Sequence, residues 1–113
     1  MAVIEVAKRV RVIGTSLSFI LPASMARALG VDGFSMLYVC VSGGELLYAA
    51  EPPMPGECDA TPRRLRPRVI AKHGGKRYFV LTVPSRLARI LGIAKGDTVA
   101  LRLEGNRLRV RKL

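Results

Sequence analysis

Arg86 and Arg89 stand three residues apart, a spacing that puts both guanidinium groups on one face of a helix, with Lys76 and Arg77 approaching from the turn before it. Guanidinium groups hold phosphate oxygens bidentately and can read guanine edges in a major groove. This set therefore has the chemistry of a contact to a polyanion. The side chains capable of proton transfer or covalent chemistry are not arranged for it. His73, the single histidine, sits in a glycine-rich turn with no carboxylate or nucleophile at a catalytic spacing. Ser16, Ser18 and Ser24 have no neighbouring base to activate them. Gly74-Gly75-Lys76 lacks the Gly-x4-Gly-Lys-Ser/Thr spacing of a phosphate loop. Cys40 and Cys58 have no His or further Cys at metal-ligand spacing. They read as a core thiol and a linker thiol, with a disulfide between them open but unsupported. The expectation is a protein that is not an enzyme and uses no metal or cofactor.

The charge distribution points the same way. The 113 residues carry a net charge of +11, with 14 Arg and 5 Lys. Residues 1–48 set Lys8, Arg9, Arg11 and Arg27 against Glu5, Asp32 and Glu45, and residues 49–67 are balanced. Residues 68–113 set twelve basic side chains against Asp97 and Glu104 alone. Positive charge confined to one half of a chain suggests a polyanionic partner met by that half, nucleic acid before an acidic protein.

The elements that must position these groups occur twice. Leu21-Pro22-Ala23-Ser24-Met25-Ala26-Arg27-Ala28-Leu29-Gly30-Val31 matches Val83-Pro84-Ser85-Arg86-Leu87-Ala88-Arg89-Ile90-Leu91-Gly92-Ile93 at an offset of 62. The offset holds without a gap through Gly43/Gly105 and Leu46/Leu108. Each half is too small to bury much apolar surface alone, so the two are expected to bury their faces together, within one chain or between chains. Val3–Val6, Val10–Ile13 and Leu17–Leu21 read as short strands, followed by a short helix bracketed by Pro22 and Gly30. Met36–Val41 and Leu46–Ala49 form a hairpin about Ser42-Gly43-Gly44. The second half repeats this order with Arg68–Lys72, Tyr78–Val83, a helix over Pro84–Leu91, Thr98–Leu103 and Arg107–Lys112. In the last strand Leu108 and Val110 point one way and Arg107, Arg109 and Arg111 the other. That arginine row is expected to be the exposed side of an edge strand rather than a second phosphate-binding strip.

Residues 51–67 hold five of the seven prolines and read as an extended linker. The expected organisation is a first repeat over 1–50, a Pro-rich linker over 51–67 and a basic second repeat over 68–113.

Strand, turn, strand, proline, short helix, Leu-Gly-hydrophobic, Gly-Asp and a β-hairpin together resemble the AbrB/SpoVT-type swapped-hairpin family of DNA-binding proteins. Val83-Pro84, Leu91-Gly92-Ile93 and Gly96-Asp97 carry the resemblance in the second half. In the first, Ile13-Gly14-Thr15-Ser16-Leu17 running on to Ile20-Leu21-Pro22 is similar to MazE-like antitoxins of the same superfamily. The resemblance implies a mostly β fold with short helices, a swapped-hairpin β-barrel that two tandem repeats would form as a pseudo-dimer. It implies basic residues of the first hairpin and the helix facing double-stranded DNA. At matching positions it nominates Lys72, Lys76, Arg77, Arg86 and Arg89, and from the first repeat Lys8, Arg9, Arg11 and Arg27. Two features depart from the pattern. Leu87 and Ala88 stand where many members carry arginines, and Phe34-Ser35 stands where the first repeat would carry Gly-Asp.

The expected function is therefore a DNA-binding transcriptional regulator that works mainly through its basic second repeat. The alternatives are an antitoxin component, or an adaptor that binds a protein partner through the apolar first repeat. The longest apolar run, Met36 to Val41, is far short of the roughly 18 to 20 residues of a membrane helix. With no export leader, a cytoplasmic protein is expected. The scarcity of thermolabile amides, a single Asn and no Gln, fits a heat-adapted source.

Overall fold

Strands from the two halves of the chain pair with each other in both sheets. The computed structural model describes residues 5–31, 36–71 and 77–113. Its elements are β1 (Glu5–Arg9), β2 (Arg11–Ile13), β3 (Ser16–Leu21), α1 (Ala23–Leu29), β4 (Leu37–Ser42), β5 (Glu45–Ala49), β6 (Arg63–Leu65), β7 (Arg68–Ala71), β8 (Arg77–Thr82), α2 (Ser85–Leu91), β9 (Thr98–Glu104) and β10 (Arg107–Lys112). The fold is mostly β with two short helices. Antiparallel pairing gives one sheet in the order β1-β9-β10-β5-β4-β6 and a second in the order β2-β3-β8-β7. Lys72, His73 and Lys76 lie outside the described residues, as do the Asp32-Gly33 turn and Phe34-Ser35.

The expected barrel is not closed: among the described residues, β1 and β6 are the edges of the first sheet, β2 and β7 of the second. The chain passes between sheets at Val10 and again at Arg66-Pro67, where the ladders break. The Val10 N–H turns aside to donate to the Asp97 carbonyl at 2.8 Å, and its own carbonyl accepts from Gly96 at 2.9 Å. Pro67 has no N–H to give.

The pairings are unchanged when the halves are exchanged. Ser18 faces Thr82 and Ile20 faces Val80, and an offset of 62 converts one pair into the other. Leu46 with Val110 and Tyr48 with Leu108 behave likewise. Earlier in each half the offset is different. Arg11 pairs with Ser18 and Arg68 with Val80, so the strands before the first turn correspond at an offset of 57. The β7–β8 connection is thus five residues longer than the β2–β3 one. β6 is the counterpart of the middle of β1: Val6 faces Leu101 in β9, and Arg63 faces Val39 in β4.

This revises the linker. Its last residues, Arg63–Leu65, form an edge strand, and the stretch before them is pinned across the outer face of the six-stranded sheet. Cys58 is disulfide-bonded to Cys40 on β4, which replaces the expected pair of free thiols. Glu57 pairs with Arg107 on β10, and the Asp59 N–H donates to the Val41 carbonyl at 2.8 Å. Since β5 lies between β4 and β10, the segment crosses over Leu47 and Ala49, both buried on that outer face. Proline-rich chain suits the task because it lies extended without needing ladder partners.

The core lies between the sheets. Phe19, Leu21, Leu81, Leu37, Val39, Leu46, Leu101, Leu108 and Val110 fill it, with the Phe19 and Tyr48 rings in a T-shaped contact at 5.9 Å and 82°. The Tyr48 hydroxyl donates to the Thr82 carbonyl at 2.9 Å, and complete burial pushes its pKa upward, so the phenol stays protonated. Each helix is preceded by its proline and ends on a left-handed glycine, Gly30 at φ 72° and Gly92 at φ 69°. Val31 and Ile93 then return hydrogen bonds to Ala26 and Ala88. The helices differ in cover. Met25, Ala26 and Leu29 of α1 are buried, whereas in α2 only Ala88 is, and Leu87 and Leu91 are half-exposed.

Candidate nucleic-acid interface

The carboxylates decide which cations are available. On the outer face of the six-stranded sheet, Arg109 donates to Glu104 at 2.8 Å and lies 3.5 Å from Glu45. Arg102 approaches the same two carboxylates at 3.5 and 3.6 Å. Arg111 pairs with Glu5 at 2.8 Å, Arg107 with Glu57, and Lys112 with Asp97 at 3.4 Å. β10 is an interior strand, not an edge, and its arginine row is engaged with acids rather than free. Glu5 and Glu45 come from the first half, because β1 pairs with β9 and β5 with β10. Two first-half carboxylates thus offset two of the second half's ten excess positive charges across the pairing.

Asp97 closes the turn before β9. It accepts the Ala94 N–H at 2.8 Å, and that bond, with Lys112 beside it, holds its carboxyl below the usual aspartate range. Lys112 also donates to the Gly92 carbonyl at 2.7 Å, which ties the last strand to the end of α2.

Among the described residues, Lys8, Arg9, Arg11, Arg27, Arg77, Arg86 and Arg89 form no ion pair. Lys8 is half-buried and the others are exposed. Three of them converge. A cleft of about 550 Å3 is lined by Lys8, Arg27 and Arg77 together with Ile20, Leu21, Pro22, Ala23, Ala26, Val31, Tyr78 and Phe79. Among the described residues no carboxylate lines it. Leu21 at the end of β3 pairs with Phe79 near the start of β8. Antiparallel pairing thus brings the beginning of β8 beside the place where α1 leaves β3. Arg77 consequently joins Arg27 of the first half's helix, not Arg86 and Arg89 of its own, which line neither cleft.

Exchange of the halves maps this cleft onto a second one of about 380 Å3, lined by Thr15, Ser16, Leu17, Arg63, Arg64, Leu65, Thr82, Val83, Pro84 and Ser85. Its chemistry has diverged. Thr15, Ser16, Thr82 and Ser85 stand where the first cleft has Arg77, Tyr78, Ile20 and Ala23, and Leu65 stands for Lys8. Arg63 and Arg64 escaped the sequence reading because they sit in proline-rich chain. The signal that points to them is the Arg63-Arg64-x-Arg66 run just ahead of the second repeat.

Among the described residues no cluster of His, Cys, Asp and Glu is placed to hold a metal ion, and no helix is long and apolar enough to cross a membrane. In comparisons with protein-family models, curated proteins and solved structures, nothing matches this chain.

Proposed function

We propose that this protein is a double-stranded-DNA-binding regulator of transcription, a single-chain version of the swapped-hairpin arrangement of AbrB-like proteins that its repeated motifs resemble. The observation that carries the proposal is the convergence of Lys8, Arg27 and Arg77, from both halves, on one cleft lined by no carboxylate among the described residues. Cations without intramolecular partners are available to phosphate oxygens, and binding to DNA releases the counterions condensed there. Arg9, Arg11, Arg86 and Arg89 are further exposed cations that form no ion pair among the described residues. Affinity then comes from both halves, with the first contributing more than its net charge suggests. The apolar side chains lining the same cleft give a contact for sugar or thymine methyl groups.

The test is fluorescence anisotropy of a labelled genomic duplex titrated with protein at several salt concentrations. The affinity is expected to fall steeply with salt. It should weaken further when Lys8, Arg27 and Arg77 are replaced together by alanine, while the β10 arginine substitution Arg109→Ala leaves it unchanged. A flat salt dependence would remove DNA as the partner.

A further inference from the structure

The proline-rich crossing is held down by one covalent bond and little else. None of residues 51–62 is buried, so the segment adds no side chain to the core. Among the described residues two polar ties hold it to the sheet. One is the Glu57–Arg107 ion pair, the other the Asp59 N–H bonded to the Val41 carbonyl at 2.8 Å. The Met54 N–H donates to the Glu57 carboxylate and the Glu57 N–H to the Met54 carbonyl, each at 3.0 Å, but both bonds lie within the segment itself. An ion pair that water reaches and a single main-chain bond are small beside the conformational freedom lost in ordering residues 51–62. The Cys40–Cys58 bond is therefore what seats the crossing over Leu47 and Ala49. Its two ends differ in access. Cys40 is buried on β4, whereas Cys58 is half-exposed on the crossing.

We propose that this disulfide is a thiol-exchange site whose reduction by a dithiol lifts residues 51–62 off the six-stranded sheet while both sheets stay paired. The incoming thiolate reaches the Cys58 Sγ, forms a mixed disulfide with it and expels the Cys40 sulfur, which takes up a proton. The second thiolate of the same reductant then attacks the reductant's own sulfur in the mixed disulfide and expels Cys58, which is protonated in turn. Two electrons pass to the protein, leaving two protein thiols and the oxidised, cyclic disulfide of the reductant. A low-molecular-weight disulfide reverses the exchange. The chain on either side is anchored independently: Ala49 ends β5, paired with β4 and β10, and Arg63 begins β6, paired with β4. Release is therefore confined to the crossing. It uncovers Leu47 and Ala49 and takes Glu57 from Arg107, so the reduced form presents an apolar strip beside a guanidinium that has lost its carboxylate.

The experiment is hydrogen exchange of the full chain, read by mass spectrometry at neutral pH before and after dithiothreitol, with the intact mass confirming reduction. Reduction is expected to raise exchange across residues 51–62 about tenfold or more, as local opening does, and to leave β3 and β9 unchanged. Alkylation of the reduced, folded protein should label both sulfurs, Cys40 included, because lifting the crossing opens the site beneath it. The Cys40→Ser/Cys58→Ser variant should show the faster exchange over residues 51–62 with or without dithiothreitol. Unchanged exchange over those residues in the fully reduced protein, or alkylation of Cys58 alone, would overturn the proposal, since the crossing would then stay seated without the bond. So would an equal rise in β3 and β9, which would make the bond a support of the whole fold. A bond that dithiothreitol leaves intact in the folded protein would overturn it as well.

Discussion

Phe19 and Leu81 occupy the same place in the two halves of the chain, 62 residues apart, and they face each other as direct partners in the β3–β8 ladder. Both are buried, against the six-stranded sheet. Leu47 and Arg109 are the corresponding pair in that sheet, again equivalent and again partners. The halves consequently share one core.

Removing either side chain should be felt by the whole molecule. Phe19→Ala is expected to cost about 3 to 5 kcal/mol and Leu81→Ala about 2 to 5 kcal/mol. Calorimetry should show a single unfolding transition in the wild type and in both variants. Two resolved transitions would mean that the halves hold separate cores.

The Cys40–Cys58 bond closes 18 residues of chain over the outer face of the sheet. Its removal in the Cys40→Ser/Cys58→Ser double variant should cost about 3 kcal/mol through the freedom returned to the unfolded chain. Thermal unfolding with and without reductant checks this: reductant should lower the midpoint of the wild type and leave the double variant unmoved. Such bonds persist in oxidising compartments and in the interiors of hyperthermophiles.

Unequal cover of the two helices gives a third expectation. Leu29 is buried in α1, and Leu29→Ala should cost about 2 to 5 kcal/mol. Its counterpart Leu91 is half-exposed, so Leu91→Ala should cost clearly less. Arg86→Ala and Arg89→Ala, on the exposed side of α2, should stay within about 0.5 kcal/mol. Denaturant titrations at one pH would rank the four.

Charge removal should separate binding from folding. Replacing Lys8, Arg27 and Arg77 by alanine is expected to lower the slope of log affinity against log salt by about 2.7, if each neutralises one phosphate. Arg109→Ala should leave that slope alone and cost up to about 1 kcal/mol of stability, since it unpicks ion pairs that are partly open to solvent. A slope that changes in Arg109→Ala and not in the triple variant would move the interface to the outer face of the six-stranded sheet.

Asp97 gives the fold an acid-sensitive point. Its folded pKa is depressed by the Ala94 N–H and by Lys112, so its contribution to stability is present in full above the unfolded aspartate pKa. That contribution is lost as the pH falls through the lower, folded value. Asp97→Asn should flatten this part of the stability profile on the acid side while leaving its shape above neutrality unchanged, which unfolding midpoints measured across that range would show.

Much of this was legible from residue types alone. The 62-residue register predicted equivalent helices, and both end on the left-handed glycine that the Leu-Gly step announces. Alternation in Arg107–Lys112 marked the buried side of that strand correctly, because side chains alternate across any sheet whatever its neighbours. The rest depended on contacts between residues far apart in the chain. Five extra residues in the second half's first turn broke the register, so β6 was hidden in the proline-rich stretch and Arg63 and Arg64 with it. Composition cannot show that such a stretch is pinned by Glu57 and Cys58.

What the sequence by itself determined is the set of local elements, their duplication and the sign of the charge, since these follow from spacing and from the conformational limits of proline and glycine. Only the tertiary structure decided which arginines are free. Arg109 and Arg77 are the same residue type in the same half of the chain, yet Arg109 lies against Glu45 and Glu104 while Arg77 opens onto a cleft lined by Lys8 and Arg27. Coulomb attraction falls off over a few ångströms beside water, so the partner a cation meets is set by strand pairing, and strand pairing here crosses from one half to the other.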